Sequence, residues 1–310
     1  MIYGKDILLD LSNRLQEEDE ASSSHWDHYH KFFEVNDDNS IQSTLGFGDG
    51  KKDYSLFTKP FHRLLQYHYY RTLFQTPFLK QALMIGRKNS ARASLRFSLD
   101  TLRQVITLAY LQQKGLITKN HTALVIGDGY GAMTSLLKQT MIAEKVILVN
   151  LTKTLFVDTA YLLTIPELQE KKSLALASTK SEMNFAIKDN KVNVILVEAK
   201  HCEILHESNA DLVFNIVSMQ EMDMLFIKKY FHQMRKMAKL KPVFFYCCNR
   251  ERKELPDTSV IEFANYPWSN KDKHYIDELC PWHQYYYRLL PPFFFPYDGP
   301  IRHRFTKLSP

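Results

Sequence analysis

Gly127, Asp128, Gly129, Tyr130 and Gly131 stand together in the run LVIGDGYGAM, Leu124 to Met133, and have the most evident chemical use in this sequence. Glycines let a backbone turn tightly and approach a ligand with no Cβ in the way, beside the positive end of a following helix. The run predicts a strand, a glycine turn and a helix. Its spacing is G-x-G-x-G, so the third glycine comes one residue early for the G-x-G-x-x-G of a dinucleotide site. A glycine-rich strand-to-helix turn without a ligand is the plain alternative.

Ser218, Gln220, Glu221 and Asp223 lie in DLVFNIVSMQEMD, at the expected mouth of another strand, where doubly wound sheets hold ligands. Glu221 is the first choice for a general base or acceptor-orienting group, against a charge that merely satisfies a helix N-terminus. His283, in PWHQYYYR, is the second: a near-neutral imidazole among Trp282, Tyr285 and Tyr286 suits a sugar pocket. A packed aromatic segment with an incidental histidine is the competing reading. Glu221 with Asp223 also offers oxygen ligands for Mg²⁺, a secondary expectation. His25, His28 and His30 invite a metal reading, but their intervals suit zinc poorly and no nearby Cys or Glu completes a site. No metal site is therefore assigned. Lys88, Arg92, Arg96 and Arg103, with Arg87 adjacent, recur along a predicted helix. They read as a solvated basic face, or as a patch for phosphate on a nucleotide- or lipid-linked sugar.

These groups need elements to position them. Residues 1–20 read as a short amphipathic helix through Ile7, Leu8, Leu11 and Leu15. The stretch 36–53 is rich in turn formers, and the pattern is helical from about Pro60 to a glycine stop at Gly115. Five short apolar runs then alternate with helices: Thr122–Ile126, Val146–Val149, Val192–Val197, Asp211–Ile216 and Val243–Cys247. That alternation predicts an α/β protein with a parallel, Rossmann-like sheet and helices on both faces. Beyond Arg250, the pieces SVIEF, YYYRLL and RHRFTKL suggest antiparallel edge strands. The expected division is a helical region 1–115, serving substrate recognition or as a lid, and a sheet domain 116–310 with an aromatic C-terminal segment.

Composition sets the outer bounds. The chain has 310 residues, 45% apolar and 24% charged, enough for a sizeable core. Its net charge of +6 is too mild and dispersed for a dedicated nucleic-acid binder. Aromatics make up 13%, clustered at 25–33, 54–78 and 282–297, the flanks that would form an acceptor pocket. Cys202, Cys247, Cys248 and Cys280 form no CxxC, and their spacing suggests neither zinc site nor disulfide framework. With no signal peptide and no spanning run, a cytoplasmic protein is expected.

VIGDGYGAM resembles the first motif of class I S-adenosylmethionine-dependent methyltransferases, and the next three strand ends fall in that family's order. The second strand ends at Val149-Asn150, where such enzymes usually carry an acid for the ribose hydroxyls. Glu198-Ala199 resembles the Asp-Ala pair beside the adenine, and the segment around Ser218 the motif beside the reacting methyl group. A G-x-G-Y-G loop, the T-x-x-x-x-x-x-YLL helix from Thr152 to Leu163 and the S-x-Q-E-M-D segment are similar to bacterial sugar O-methyltransferases. The likeness covers about residues 120–250. It implies an O-methyltransferase that takes S-adenosylmethionine and methylates a sugar hydroxyl in glycan or glycoside biosynthesis, on a small or carrier-linked acceptor. A homo-oligomer is compatible with it. In that reading Gly127 to Gly131, Asn150, Leu151, Glu198, Ala199 and Ser218 bind cofactor. Glu221, His283, Ser218 and Asp223 serve catalysis, while Gln220, Trp282, Tyr285, Arg92 and Arg96 bind substrate. Two residues depart from the pattern: Val125 replaces a frequent acid, and Asn150 removes the charge from the ribose contact. The rivals are a non-sugar acceptor such as a small phenol, a non-catalytic binding subunit of the same fold, and an NAD-dependent oxidoreductase. Glycine spacing and Asn150 weigh against the last.

Overall fold

A computed structural model describes residues 1–31, 33–35, 41–44, 57–73 and 76–310. Its main sheet takes, in chain order, Ile2–Tyr3 (β1), His121–Ile126 (β2), Ala143–Asn150 (β3), Leu174–Leu176 (β4), Val194–Glu198 (β5), Leu212–Ile216 (β6), Val243–Arg250 (β7), Lys273–Leu279 (β8) and Ile301–Leu308 (β9). In space the order is β1-β4-β5-β3-β2-β6-β7-β9-β8. Neighbours from β4 to β7 are parallel, and β1, β9 and β8 join antiparallel. After β2 the chain builds first to one side, with β3, and later to the other, with β6. β2 therefore marks the switch point where open α/β sheets leave a crevice.

The helices are Asp6–Ser12 (α1), Ser24–His30 (α2), Lys59–Tyr70 (α3), Pro77–Arg92 (α4), Leu99–Gln113 (α5), Ala132–Gln139 (α6), Thr152–Leu162 (α7), Lys180–Lys188 (α8) and Met224–Ala238 (α9). Side chains alternate across a strand, and the two halves of each pattern meet different layers. Ala123, Val125, Val146 and Leu148 pack with α1 and α4 to α7, while Leu124, Ile126, Ile147 and Val149 pack with α8 and α9. In α5, Leu102, Val105, Ile106 and Ala109 repeat at helical spacing and are fully buried. Ser98 caps its start by accepting from the Thr101 N–H at 3.0 Å, and Gly115, at φ +66°, ends it in the left-handed conformation.

The α/β class and the Rossmann-like sheet agree with the sequence pattern, and three local expectations are corrected. The N-terminus is a strand before it is a helix, because Ile2–Tyr3 covers the edge of β4. One buried cluster then runs from α1, α4 and α5 into the sheet. RHRFTKL becomes an inner strand, β9, and the edge is instead β8, whose charged sequence tolerates exposure. Asp277 on that edge pairs with Arg302 and Arg304. SVIEF and YYYRLL contribute Val260–Glu262 and Tyr285–Tyr287 to separate two-stranded ladders. Within the turn-rich stretch 36–53, Ile41–Thr44 pairs with Phe33–Val35; positions 36–40 and 45–53 lie outside the described residues. No helix among the described residues is long and apolar enough to cross a membrane.

Candidate active site

At the carboxyl edge of β2, Gly127, Gly129 and Gly131 adopt φ of +70°, +87° and +66°, where a side chain would be strained. Each has its own reason. A Cβ on Gly127 would lie 2.7 Å from Ser218 Cβ at the end of β6. One on Gly131 would press within 3.2 Å of the Asp158 carbonyl oxygen in α7. Gly129 meets nothing within 4 Å, so its backbone faces open space. That space is a cavity of about 240 Å³ whose wall includes Gly127, Asp128, Gly129 and Tyr130.

Two polar groups on this side are held by the fold itself. Asp128 accepts from the N–H of Met133 at 2.9 Å and of Thr134 at 2.7 Å, capping α6 in place of a side-chain N-cap. Asn150 donates to Asp158 at 2.8 Å, and its carbonyl oxygen accepts from the Leu151 N–H at 3.0 Å. Burial pushes the carboxyls of Asp128 and Asp158 up, and the Asp128 charge pushes Asp158 further. Asn150 still lines the cavity, with one oxygen lone pair to offer. Beside it lies a narrow apolar slot walled by Leu151, Ala199, Met222 and Trp26, which shares Asn150, Ser218 and Trp26 with the larger cavity.

The rest of the wall is assembled from distant segments. Val217 holds φ +56°, unusual for a β-branched residue, and turns the chain from β6 into Ser218 and Glu221, both on the cavity wall. Glu221 keeps 18% of its side chain exposed and lies 3.5 Å from His25 Nε2. Burial raises its pKa to about 7, against the Gln220 hydrogen bond and the charges of Lys253 and Arg250. Burial, helped by Lys253, lowers His25 to about 4. At neutral pH the imidazole is therefore uncharged, and the carboxyl titrates. The first turns of α5 add Ser98, Asp100, Thr101 and Gln104, and the C-terminal segment adds Tyr297. Gln104 Oε1 in α5 and Thr154 Oγ1 in α7 are buried with no hydrogen-bond partner among the described residues.

Several predicted residues take other posts. Glu198 is fully buried away from the cavity, paired with Arg14 and Lys200 and accepting from Thr152 at 2.8 Å. Burial would raise its pKa, but the bonds from Arg14 and Thr152 prevail and hold it below the ordinary carboxylate value. Gln220 bolts the turn to β7, its backbone N–H donating to Asn249 Oδ1 and its side-chain Oε1 accepting from the Arg250 N–H at 2.8 Å. Asp223 precedes α9 off the cavity wall, so it does not join Glu221 in a pair for Mg²⁺ there. Trp282 is buried against Tyr110 and His303 and donates to Thr107 at 3.2 Å. Tyr285 is half exposed in its ladder, and Arg92 is not part of the wall. Arg96 does line the cavity, as does His283. Burial, reinforced by Arg103 and His303, keeps the His283 imidazole neutral. Arg103 braces this region internally, donating to the carbonyls of Trp282 and Tyr285.

His25 and Trp26 were legible only as part of a histidine-rich run, and Gln104 and Tyr297 carried no motif. The capping serine at 98 was the one signal that could have pointed α5 at the site.

No protein-family profile matches the chain, and no curated protein matches it. Among solved structures, a single-residue variant of MtNAS is 11% identical, with TM-score 0.40, over 99% of this chain and 97% of that one. Coclaurine N-methyltransferase bound to N-methylheliamine and SAH is 12% identical, with TM-score 0.34, over 72% and 73%. An O-methyltransferase candidate from Nostoc punctiforme is 10% identical, with TM-score 0.37, over 97% and 94%.

Proposed function

We propose that this chain transfers a methyl group from S-adenosylmethionine to a hydroxyl, with a sugar as the acceptor class. One observation carries the reading. A left-handed glycine loop at the sheet's switch point and a partly buried titrating carboxylate line one cavity. The residues fit the cofactor in two respects: open space above Gly129 and an orphaned Thr154 hydroxyl.

When bound, the cofactor supplies an electrophilic methyl group on a positively charged sulfur. The chain's own work is placement and proton handling. Backbone N–H groups of the glycine loop can approach the ligand closely, and an acceptor between the loop and Glu221 sits where its hydroxyl proton passes to Glu221 as the oxygen is alkylated. His25 orients that carboxylate. Gln104, Thr101, Asp100 and Arg96 offer a dense set of polar partners, and Trp26 and Tyr297 offer flat faces, which together favour a polyhydroxylated acceptor. The N-terminal region contributes through α2 and α5, in keeping with a role in substrate recognition.

Methyl transfer to a panel of free, nucleotide-linked and lipid-linked sugars tests the acceptor. Turnover with a phenol and none with any sugar would overturn that part. A non-catalytic binding role draws its support from Asn150, whose two polar ends are already engaged. Cofactor binding without turnover on any hydroxyl acceptor would favour it.

A further inference from the structure

Cys280 and His283 stand three residues apart and Cys248 lies far before them in the chain, and their Sγ, Nδ1 and Sγ atoms lie within 4.8 Å of one another. His283 Nδ1 is 3.3 Å from Cys280 Sγ and 3.7 Å from Cys248 Sγ. Zinc–sulfur and zinc–nitrogen bonds of about 2.3 and 2.0–2.1 Å at a tetrahedral angle separate S and N by about 3.5 Å. The two observed distances bracket that value. All three side chains are buried, and no other group of three metal-capable side chains converges among the described residues.

We propose that these three residues hold a zinc ion. A thiol–imidazole hydrogen-bond cluster, in which Cys280 also bonds Cys248, is the competing reading. Nδ1 has one lone pair or one N–H for the two sulfurs facing it. A thiophilic d¹⁰ cation accepts from all three donors at once. It also replaces two thiol protons, leaving two thiolates and one dication neutral in a dry region.

The placement gives the ion a task. Cys248 is in β7 and Cys280 follows β8, strands kept apart by β9. The ion ties them together and fixes the turn that presents His283 to the cavity. Three protein ligands leave a position for a fourth donor. The site shares His283 with the cavity wall but does not rest on the methyl-transfer reading, and its test needs no turnover.

The chain should be purified under reducing conditions without chelator and its metal content measured. One zinc per chain is expected. X-ray absorption should find two sulfur neighbours, and Co²⁺ replacement should give a thiolate-to-cobalt band that Cys248→Ser and Cys280→Ser each diminish and the double variant abolishes. The wild-type spectra decide the matter even if the variants fail to fold. Metal-free protein that gives no cobalt–thiolate band overturns the proposal, as does zinc retained in the double variant. A Cys248–Cys280 disulfide in anaerobically prepared protein also overturns it.

Discussion

Around the glycine loop, polar side chains are held by near neighbours in the chain: Asp128 by the first turn of α6, Asn150 by Asp158 eight residues on. Farther along the cavity wall, Glu221 meets His25, and its backbone carbonyl accepts from Ser23, both from the opposite end of the sequence. The first wall is settled by local hydrogen bonds. The second exists only once α2, α5 and the turn after β6 have docked. Local construction gives the loop a fixed shape suited to an invariant ligand. Assembly from remote pieces leaves Glu221 partly buried and poised to titrate, which suits a group that must exchange a proton.

Glu221→Gln separates the two walls most sharply. It should reduce kcat by about 10²- to 10⁴-fold while leaving cofactor affinity unchanged. In the wild type, log kcat should rise with pH and level off above about 7, as the carboxylate forms. A flat profile from pH 5 to 8 would remove Glu221 from the base role.

Arg14→Met tests the anchoring of the N-terminal segment. It strips Glu198, fully buried, of its nearest charge partner and should cost about 3 kcal/mol in denaturant unfolding. A change below about 0.5 kcal/mol would mean that Lys200 and Thr152 suffice.

The third prediction concerns stability at the same carboxylate. Glu221 has a folded pKa of about 7 against an ordinary 4.5, so the native state binds more protons between those values. Its contribution is complete below the ordinary value and is lost as pH rises through about 7. Glu221→Gln should therefore gain stability over the wild type between pH 5 and pH 8, by on the order of 2 kcal/mol. A constant difference across that range would contradict the burial argument.

Trp282→Phe is the smallest effect expected. It deletes the bond to Thr107 and should cost about 1 kcal/mol of stability. KM for the acceptor should not move, because the indole is packed behind the cavity wall.

The same contrast governs what the sequence made legible. Glycine spacing and β-branched runs fixed the parallel strands because those signals are local. Leu174–Leu176 passed unnoticed because three residues carry no period. β9 was misplaced because an alternating strand looks alike at an edge and one position inside it. Glu221 and Ser218 were reachable from a strand end, but His25, Gln104 and Tyr297 depend on tertiary docking. Trp282 and Gln220 have a chemistry that points toward the pocket, whereas the Trp282 N–H serves the core and Gln220 joins β7 to Glu221.

The central claim is that the glycine-loop wall binds S-adenosylmethionine. Calorimetry with S-adenosylhomocysteine tests it most directly, using the wild type and Gly129→Val, whose side chain would enter the open space at φ +87°. The account predicts one micromolar site per chain, weakened at least about tenfold by the valine and unaffected by Glu221→Gln. No heat from the wild type, or equal binding by the valine variant, would contradict it.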